Sequence, residues 1–177
     1  MTYSEELRQT LLKHGFRFSK AMGQNFLIDP NIPRAIAERA RAEGAGVLEI
    51  GPGIGILTRE LARRAEKVTS VELDKRLLPI LSETLYGFDN VAVVQGDIMK
   101  LDLKSLLDEN MPGMARYIVC ANLPYNITTP VLTRLYESRL FDTITVMVQR
   151  EVAQRMAAKA GTDDYGAFSV HTAFYAD

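Results

Sequence analysis

The sequence predicts a doubly wound α/β domain, a parallel sheet with helices on both faces, on three observations. A short apolar run, Val47 to Ile50, passes at once into glycines on alternate positions, Gly51, Gly53 and Gly55, and then into a helical pattern. Short β-branched runs recur downstream, each separated from the next by an amphipathic stretch, and that βαβ order makes the strands parallel. Three successive runs also finish on a glycine turn or a carboxylate, at Gly51, Glu72 and Asp97. In a parallel sheet those ends share one rim, the rim at which ligands of such folds bind.

Taken in order, residues 4–14 predict a short helix capped by Ser4, with Leu7, Leu11 and Leu12 on one side. A basic, aromatic-bearing arm follows, in which Lys13, His14, Arg17 and Lys20 lead into Gly23-Gln24-Asn25-Phe26-Leu27. On charge alone it reads as a solvated connector. Asp29-Pro30-Asn31-Ile32-Pro33 is a helix start, because an Asx side chain caps and proline is tolerated in a first turn. Ile32, Ile36, Ala37 and Ala40 form the expected buried stripe. Val47 to Ile50 is the first strand. Beyond the glycines, Leu57, Leu61 and Ala65 point inward and Arg59, Glu60, Arg63 and Arg64 point to solvent. Val68 to Val71 is the second strand, and a helix starts near Lys75 or Arg76, since Pro79 fits only a first turn. Val91 to Gln95 is the third strand, followed by a short helix from Lys104 to Leu107. Tyr117 to Ala121 is the fourth. Thr129-Pro130 caps a helix carrying Val131, Leu132 and Leu135, Thr143 to Val148 is the fifth strand, and a further helix carries Val152 and Met156. Residues 165–170 enter another helix with no closing strand after it, so a truncated domain is expected.

Composition narrows the classes. The 177 residues are 47% hydrophobic and 24% charged with a net charge of −1, the balance of a globular domain without a global basic signature. No apolar run approaches the roughly 20 residues of a membrane span, and no signal-peptide pattern opens the chain. One cysteine, Cys120, forms no internal disulfide and fits a reducing cytoplasm; within an apolar strand it is expected to be an inert buried thiol. The two histidines, His14 and His171, and that cysteine give no metal-ligand spacing, so no metal is expected.

Glycines decide which ligand is cradled. A dinucleotide fingerprint needs G-x-G-x-x-G, which fails at Ile56 when counted from Gly51 and at Thr58 when counted from Gly53. What stands here is Glu49, one residue, then Gly51, Gly53 and Gly55, a form common among S-adenosylmethionine enzymes, whose ligand has no pyrophosphate. Glu72 lies 17 residues past Gly55, where an acceptor-only carboxylate can take both ribose hydroxyls of an adenosyl group, and Asp97 is placed for the adenine amine. The competing reading makes both acids simple polar strand ends.

Asn122-Leu123-Pro124-Tyr125 leaves the fourth strand. An adenine amine is a poor nucleophile because its lone pair is delocalised into the ring. The Asn122 side-chain carbonyl and the Leu123 backbone carbonyl can accept its two N–H bonds, favouring a pyramidal nitrogen and offsetting the charge that builds during attack. Pro124 confines Leu123 to extended angles, and Tyr125 offers a face on which an extruded base can stack. A plain Asn-Leu-Pro turn is the alternative.

These stretches, with Gly96-Asp97, Asn126-Ile127-Thr128-Thr129-Pro130, Gln149-Arg150-Glu151-Val152-Ala153 and Tyr165-Gly166, resemble the small-subunit ribosomal RNA adenine dimethyltransferases. The resemblance implies a Rossmann-like methyltransferase fold with sheet order 3-2-1-4-5, and S-adenosylmethionine-dependent N6,N6-dimethylation of two adjacent adenosines near the 3′ end of small-subunit rRNA. It also implies a role in small-subunit biogenesis, exercised by a cytoplasmic monomer on the immature subunit. Carried over by position, Asn25, Leu27, Gly51, Gly53, Glu72, Asp97 and Asn122 contact the cofactor, while Asn122, Leu123, Pro124 and Tyr125 hold the target adenine. Residues 1–28 then form an amino-terminal helix and a basic arm able to meet rRNA phosphate, and residues 29–177 form the methyltransferase domain. The family's two closing strands, an aromatic over the target base and a basic helical domain are expected to be missing. The rivals are the large-subunit rRNA adenine methyltransferases of macrolide resistance, disfavoured by Tyr125 where that group tends to carry phenylalanine; a non-catalytic ribosome-assembly factor; and a nicotinamide dehydrogenase.

Overall fold

The computed structural model describes residues 3–15, 29 and 31–176. Five parallel strands, β1 (Gly46–Ile50), β2 (Lys67–Glu72), β3 (Val91–Gln95), β4 (Tyr117–Asn122) and β5 (Thr143–Met147), lie in the order β3-β2-β1-β4-β5. The central strand β1 is buried along its whole length, as an apolar run covered on both faces requires.

Alternation along the strands sorts the core into two layers. Leu48, Ile50, Val119 and Ala121 pack on the face covered by α5 (Leu103–Asn110) and α6 (Thr128–Ser138). Val47, Val68, Ile118 and Cys120 pack on the opposite face with α2 (Asn31–Ala40) and α3 (Ile56–Ala62). A third cluster joins Leu11 of α1 (Tyr3–Lys13) to Ile54 and to Leu77, Ile80 and Leu81 around α4 (Leu78–Thr84). Leu48, Ile118 and Leu132 are fully enclosed, and truncating such a side chain to alanine costs about 2–5 kcal/mol because the cavity does not collapse. Helices α7 (Arg150–Ala157) and α8 (Ala167–Tyr175) follow β5. Among the described residues no helix is long and apolar enough to cross a membrane.

Several local expectations hold in detail. The Asp29 carboxylate accepts the Asn31 N–H at 2.9 Å, starting α2. A 3-10 turn, Lys75–Leu77, precedes α4 and puts Pro79 in its first turn. Others shift. Helix α1 begins at Tyr3, so Ser4 lies in its first turn, and Leu12 is exposed while Leu11 is buried, because the α4 contact admits only one of two adjacent positions. In α2 the buried stripe is Pro33, Ala37 and Ala40, and Ile32 faces solvent. Helix α5 is longer than expected at both ends, because the Asp102 carboxylate accepts the Ser105 N–H at 2.7 Å and caps it. Helix α6 begins at Thr128, whose hydroxyl donates to the Pro124 carbonyl at 3.0 Å.

Candidate functional site

The loop after β1 takes its shape from three left-handed residues, Gly51 (φ 68°), Gly53 (φ 60°) and Gly55 (φ 85°). The Gly51 N–H donates to the Val71 carbonyl at 2.9 Å, tying the turn to β2. A Cβ on Gly55 would lie 3.0 Å from Leu85 Cδ2 and from Thr84 Oγ1. Both atoms are side-chain ends that can give a few tenths of an ångström, so the backbone angle dominates the cost. Gly55→Ala is therefore expected to lower stability by about 1–2 kcal/mol, read as an earlier urea midpoint at unchanged m value. A midpoint equal to that of the parent would mean that the turn relaxes freely.

Beneath this loop the Glu49 side chain is sealed from solvent, 1% exposed. One of its oxygens accepts the Ser70 hydroxyl at 2.6 Å and the Thr58 hydroxyl at 2.7 Å. Glu49 stands opposite Ser70 in the β1–β2 register, and Thr58 comes from the first turn of α3. The cluster thus pins together two strands and the helix that frame the glycine turn. Burial pushes the Glu49 carboxyl up to about 7, the two hydroxyls oppose the shift, and the nearby Glu72 adds to it. Sequence reasoning missed Ser70 and Thr58; the available signal was small polar residues at inward-facing positions.

Glu72 ends β2 on the rim, 6% exposed. One of its oxygens accepts the Asp74 N–H at 2.8 Å and the other the Gly53 N–H at 3.3 Å. Burial raises its carboxyl above the ordinary range against backbone donors at Asp74, Gly53 and Leu73. A carboxylate has about four acceptor sites, so capacity remains for a further donor. The neighbouring Asp74 carboxylate is paired to the Arg76 guanidinium at 2.6 Å. Past β3, Asp97 Oδ1 accepts the Met99 N–H at 2.9 Å, and Lys100 Nζ lies 3.8 Å from Oδ2. Leu73, between Glu72 and Asp74, is 56% exposed, an apolar face at the rim that sequence reasoning did not single out.

The end of β4 completes the rim. Asn122 is half-buried and stands opposite Met147. The Leu123 N–H donates to the Met147 carbonyl at 3.2 Å, and the Leu123 side chain is 2% exposed, so that peptide is held from both sides. The Pro124 carbonyl accepts the Ile127 N–H at 3.2 Å and the Thr128 hydroxyl at 3.0 Å, which stiffens the turn into α6. Tyr125 is 47% exposed. Pro124 Cδ lies 3.9 Å from where a Cβ on Gly51 would stand, so the turn after β4 and the glycine loop share a wall. Gly51, Gly53, Glu72, Asp97 and Asn122 through Tyr125 therefore sit on one edge of the sheet, whereas Asn25 and Leu27 lie outside the described residues.

Lys13 Nζ and His14 Nε2 lie 2.8 and 2.9 Å from the Glu83 carboxylate, so the start of the basic arm meets α4. Arg17 and Lys20 lie outside the described residues. His171, which has no evident partner in the sequence, packs on Tyr175 at 4.9 Å and lies 3.7 Å from Glu137. Cys120 is fully buried and its thiol is pushed far up by burial, as an inert core residue should be.

Against known proteins, a family model described as ribosomal RNA adenine dimethylase matches residues 15–177. The chain is 49% identical over 170 residues to ribosomal RNA small subunit methyltransferase A of Lysinibacillus sphaericus, covering 95% of this chain and 58% of that protein. It is 49% identical over 172 residues to the protein of the same name from Bacillus licheniformis, covering 96% and 59%. The chain thus spans about three-fifths of the length of the curated relatives it matches. Among solved structures it is similar to the 23S rRNA methyltransferase ErmE (TM-score 0.65, 37% identity, 80% of this chain and 53% of that one). It is also similar to a dimethyladenosine transferase from Plasmodium falciparum (TM-score 0.68, 31% identity, 81% and 50%). With the glycine turn, the acidic rim and the turn after β4 on one sheet edge, and a family match covering nearly the whole chain, this protein belongs to the ribosomal RNA adenine dimethylase family.

Proposed function

We propose that the chain binds S-adenosylmethionine along this rim and belongs to an enzyme that dimethylates adenosine N6 in small-subunit rRNA. The shared wall between the glycine turn and Pro124 carries the reading, because it brings the turn that follows Asn122 and Leu123 beside the loop that would hold the methyl donor. The residues fit that cofactor. The loop offers backbone without side chains, and Glu72 has acceptor capacity left for a hydroxyl donor. Gly51, Gly53, Glu72, Asp97 and Asn122 would hold it, and the same role is proposed for Asn25 and Leu27.

When bound, the cofactor supplies an electrophilic methyl group on a sulfonium, whose sulfur keeps the electron pair as the methyl leaves. Asn122 and Leu123 would accept the two amine N–H bonds and turn the nitrogen lone pair toward that methyl. As the nitrogen becomes positive, both carbonyl dipoles stabilise it, and the proton then passes to water without a dedicated base. Tyr125, half-exposed, would stack on the adenine. Relatives named for the small subunit match at 49% identity against 37% for the 23S enzyme, which favours small-subunit rRNA as the substrate. Family membership supports extending the reading to a cytoplasmic monomer acting on the immature small subunit.

The test is calorimetric titration with S-adenosylmethionine beside a Glu72→Ala variant. The parent should bind one equivalent, and the variant should bind roughly tenfold more weakly, as loss of hydrogen bonds to a charged acceptor implies. Absence of saturable binding by a folded parent would overturn the proposal.

A further inference from the structure

A cavity lies beside the proposed target site. It has a volume of about 440 Å³ and is lined by Thr129 and Thr133 of α6, Arg155 of α7, Asp164, and Phe168 and His171 of α8. Thr129 is the second residue of the helix into which Asn122-Leu123-Pro124-Tyr125 leads, and the Thr128 hydroxyl on the Pro124 carbonyl joins the two rigidly. The far wall is equally firm, because the Ser169 hydroxyl donates to the Arg155 carbonyl at 2.5 Å and accepts the Gly166 N–H at 3.2 Å. The Arg155 guanidinium stands over the Phe168 ring, 5.9 Å from its centroid. Among the described residues Arg155 forms no ion pair, and His171 Nδ1 is buried with no hydrogen-bond partner.

We propose that this cavity binds the base of the nucleotide next to the target adenosine in the same RNA strand. The inference rests on the methyltransferase reading above. An aromatic ring with a guanidinium over it is a stacking platform for an unpaired base. The cavity is of a size that holds small organic ligands. The Asp164 carboxylate opposes a phosphate as occupant but accepts from an exocyclic amine, so the site favours adenine, guanine or cytosine over uracil. Thr129 and Thr133 add hydroxyls able to donate or accept. A strand whose target base stacks on Tyr125 has its next residue within reach of this cavity, since Thr129 on the cavity wall follows Tyr125 by a single short turn into α6.

The dinucleotide ApA and the mononucleotide AMP separate the two sites. Both would be titrated by NMR into the chain with S-adenosylhomocysteine present. ApA is expected to bind at least fivefold more tightly than AMP, with shifts at Phe168, in keeping with the usual value of one stacked base. Arg155→Ala, at an exposed position, should bring ApA to the AMP level and leave AMP unchanged, and Phe168→Leu should do the same. AMP binding with ApA no tighter, or an equal loss of both ligands in Arg155→Ala, would overturn this inference alone. Failure of both S-adenosylhomocysteine and AMP to bind would bring down the methyltransferase reading and the inference with it.

Discussion

On the proposed reading, replacing Asn122 by alanine in the enzyme to which this chain belongs is expected to lower methyl transfer to small-subunit rRNA by roughly 10²–10³-fold, the usual cost of removing one preorganised group that stabilises charge in a transition state. The side chain ends β4, and its neighbour Leu123 is held by the Met147 carbonyl at 3.2 Å, so the local backbone should survive the change. Affinity for S-adenosylmethionine should fall only severalfold, because Glu72, Asp97 and the glycine turn remain. The measurement is incorporation of labelled methyl groups into unmethylated small subunits, set beside calorimetry for the cofactor. Asn122→Asp keeps an acceptor oxygen while adding charge, and should fall between alanine and the parent. Transfer within threefold of the parent in Asn122→Ala would show that the amine is held elsewhere.

Glu49→Gln should change the pH dependence of stability. The Glu49 carboxyl is raised from its model-compound value of 4.5 to about 7 in the folded chain, chiefly by burial. The folded state therefore holds this proton more tightly than the unfolded state does. Its contribution is fully present below about pH 4.5 and is lost as pH rises through about 7. The loss amounts to about 3 kcal/mol when the shift is converted at 1.36 kcal/mol per unit. Glutamine keeps a carbonyl oxygen for the Ser70 and Thr58 hydroxyls but has no proton to lose. The variant should match the parent near pH 4 and exceed it by up to about 3 kcal/mol at pH 8. Urea melts at both values check this, and parallel stability curves would mean that folding leaves the Glu49 carboxyl unshifted.

How legible the molecule was depends on the range of the interactions involved. The strand pattern was readable because each strand is a short β-branched run, and alternation within β1 and β2 assigns the core faces directly. The glycine turn was readable because three left-handed residues in five require glycine. The cap on α5 was also local, three residues from Asp102 to Ser105, and was simply overlooked. By contrast, the exposure of Leu12 beside buried Leu11, and of Ile32 beside buried Pro33, followed from which side α4 and the sheet approach. No periodicity within an isolated helix separates such neighbours.

The sequence by itself determined the parallel order of strands and helices, the cofactor-type turn, and the turn Asn122-Leu123-Pro124-Tyr125, because these depend on backbone preferences within a few residues. Only the tertiary structure decided that Ser70 and Thr58 clamp Glu49, that Lys13 and His14 are taken up by Glu83, and that Pro124 meets Gly51. It also decided that Arg155, Asp164 and Phe168 enclose a cavity beside α6. Those contacts join segments up to about 70 residues apart, and their existence depends on how twisted strands and packed helices meet in space, which no local pattern encodes.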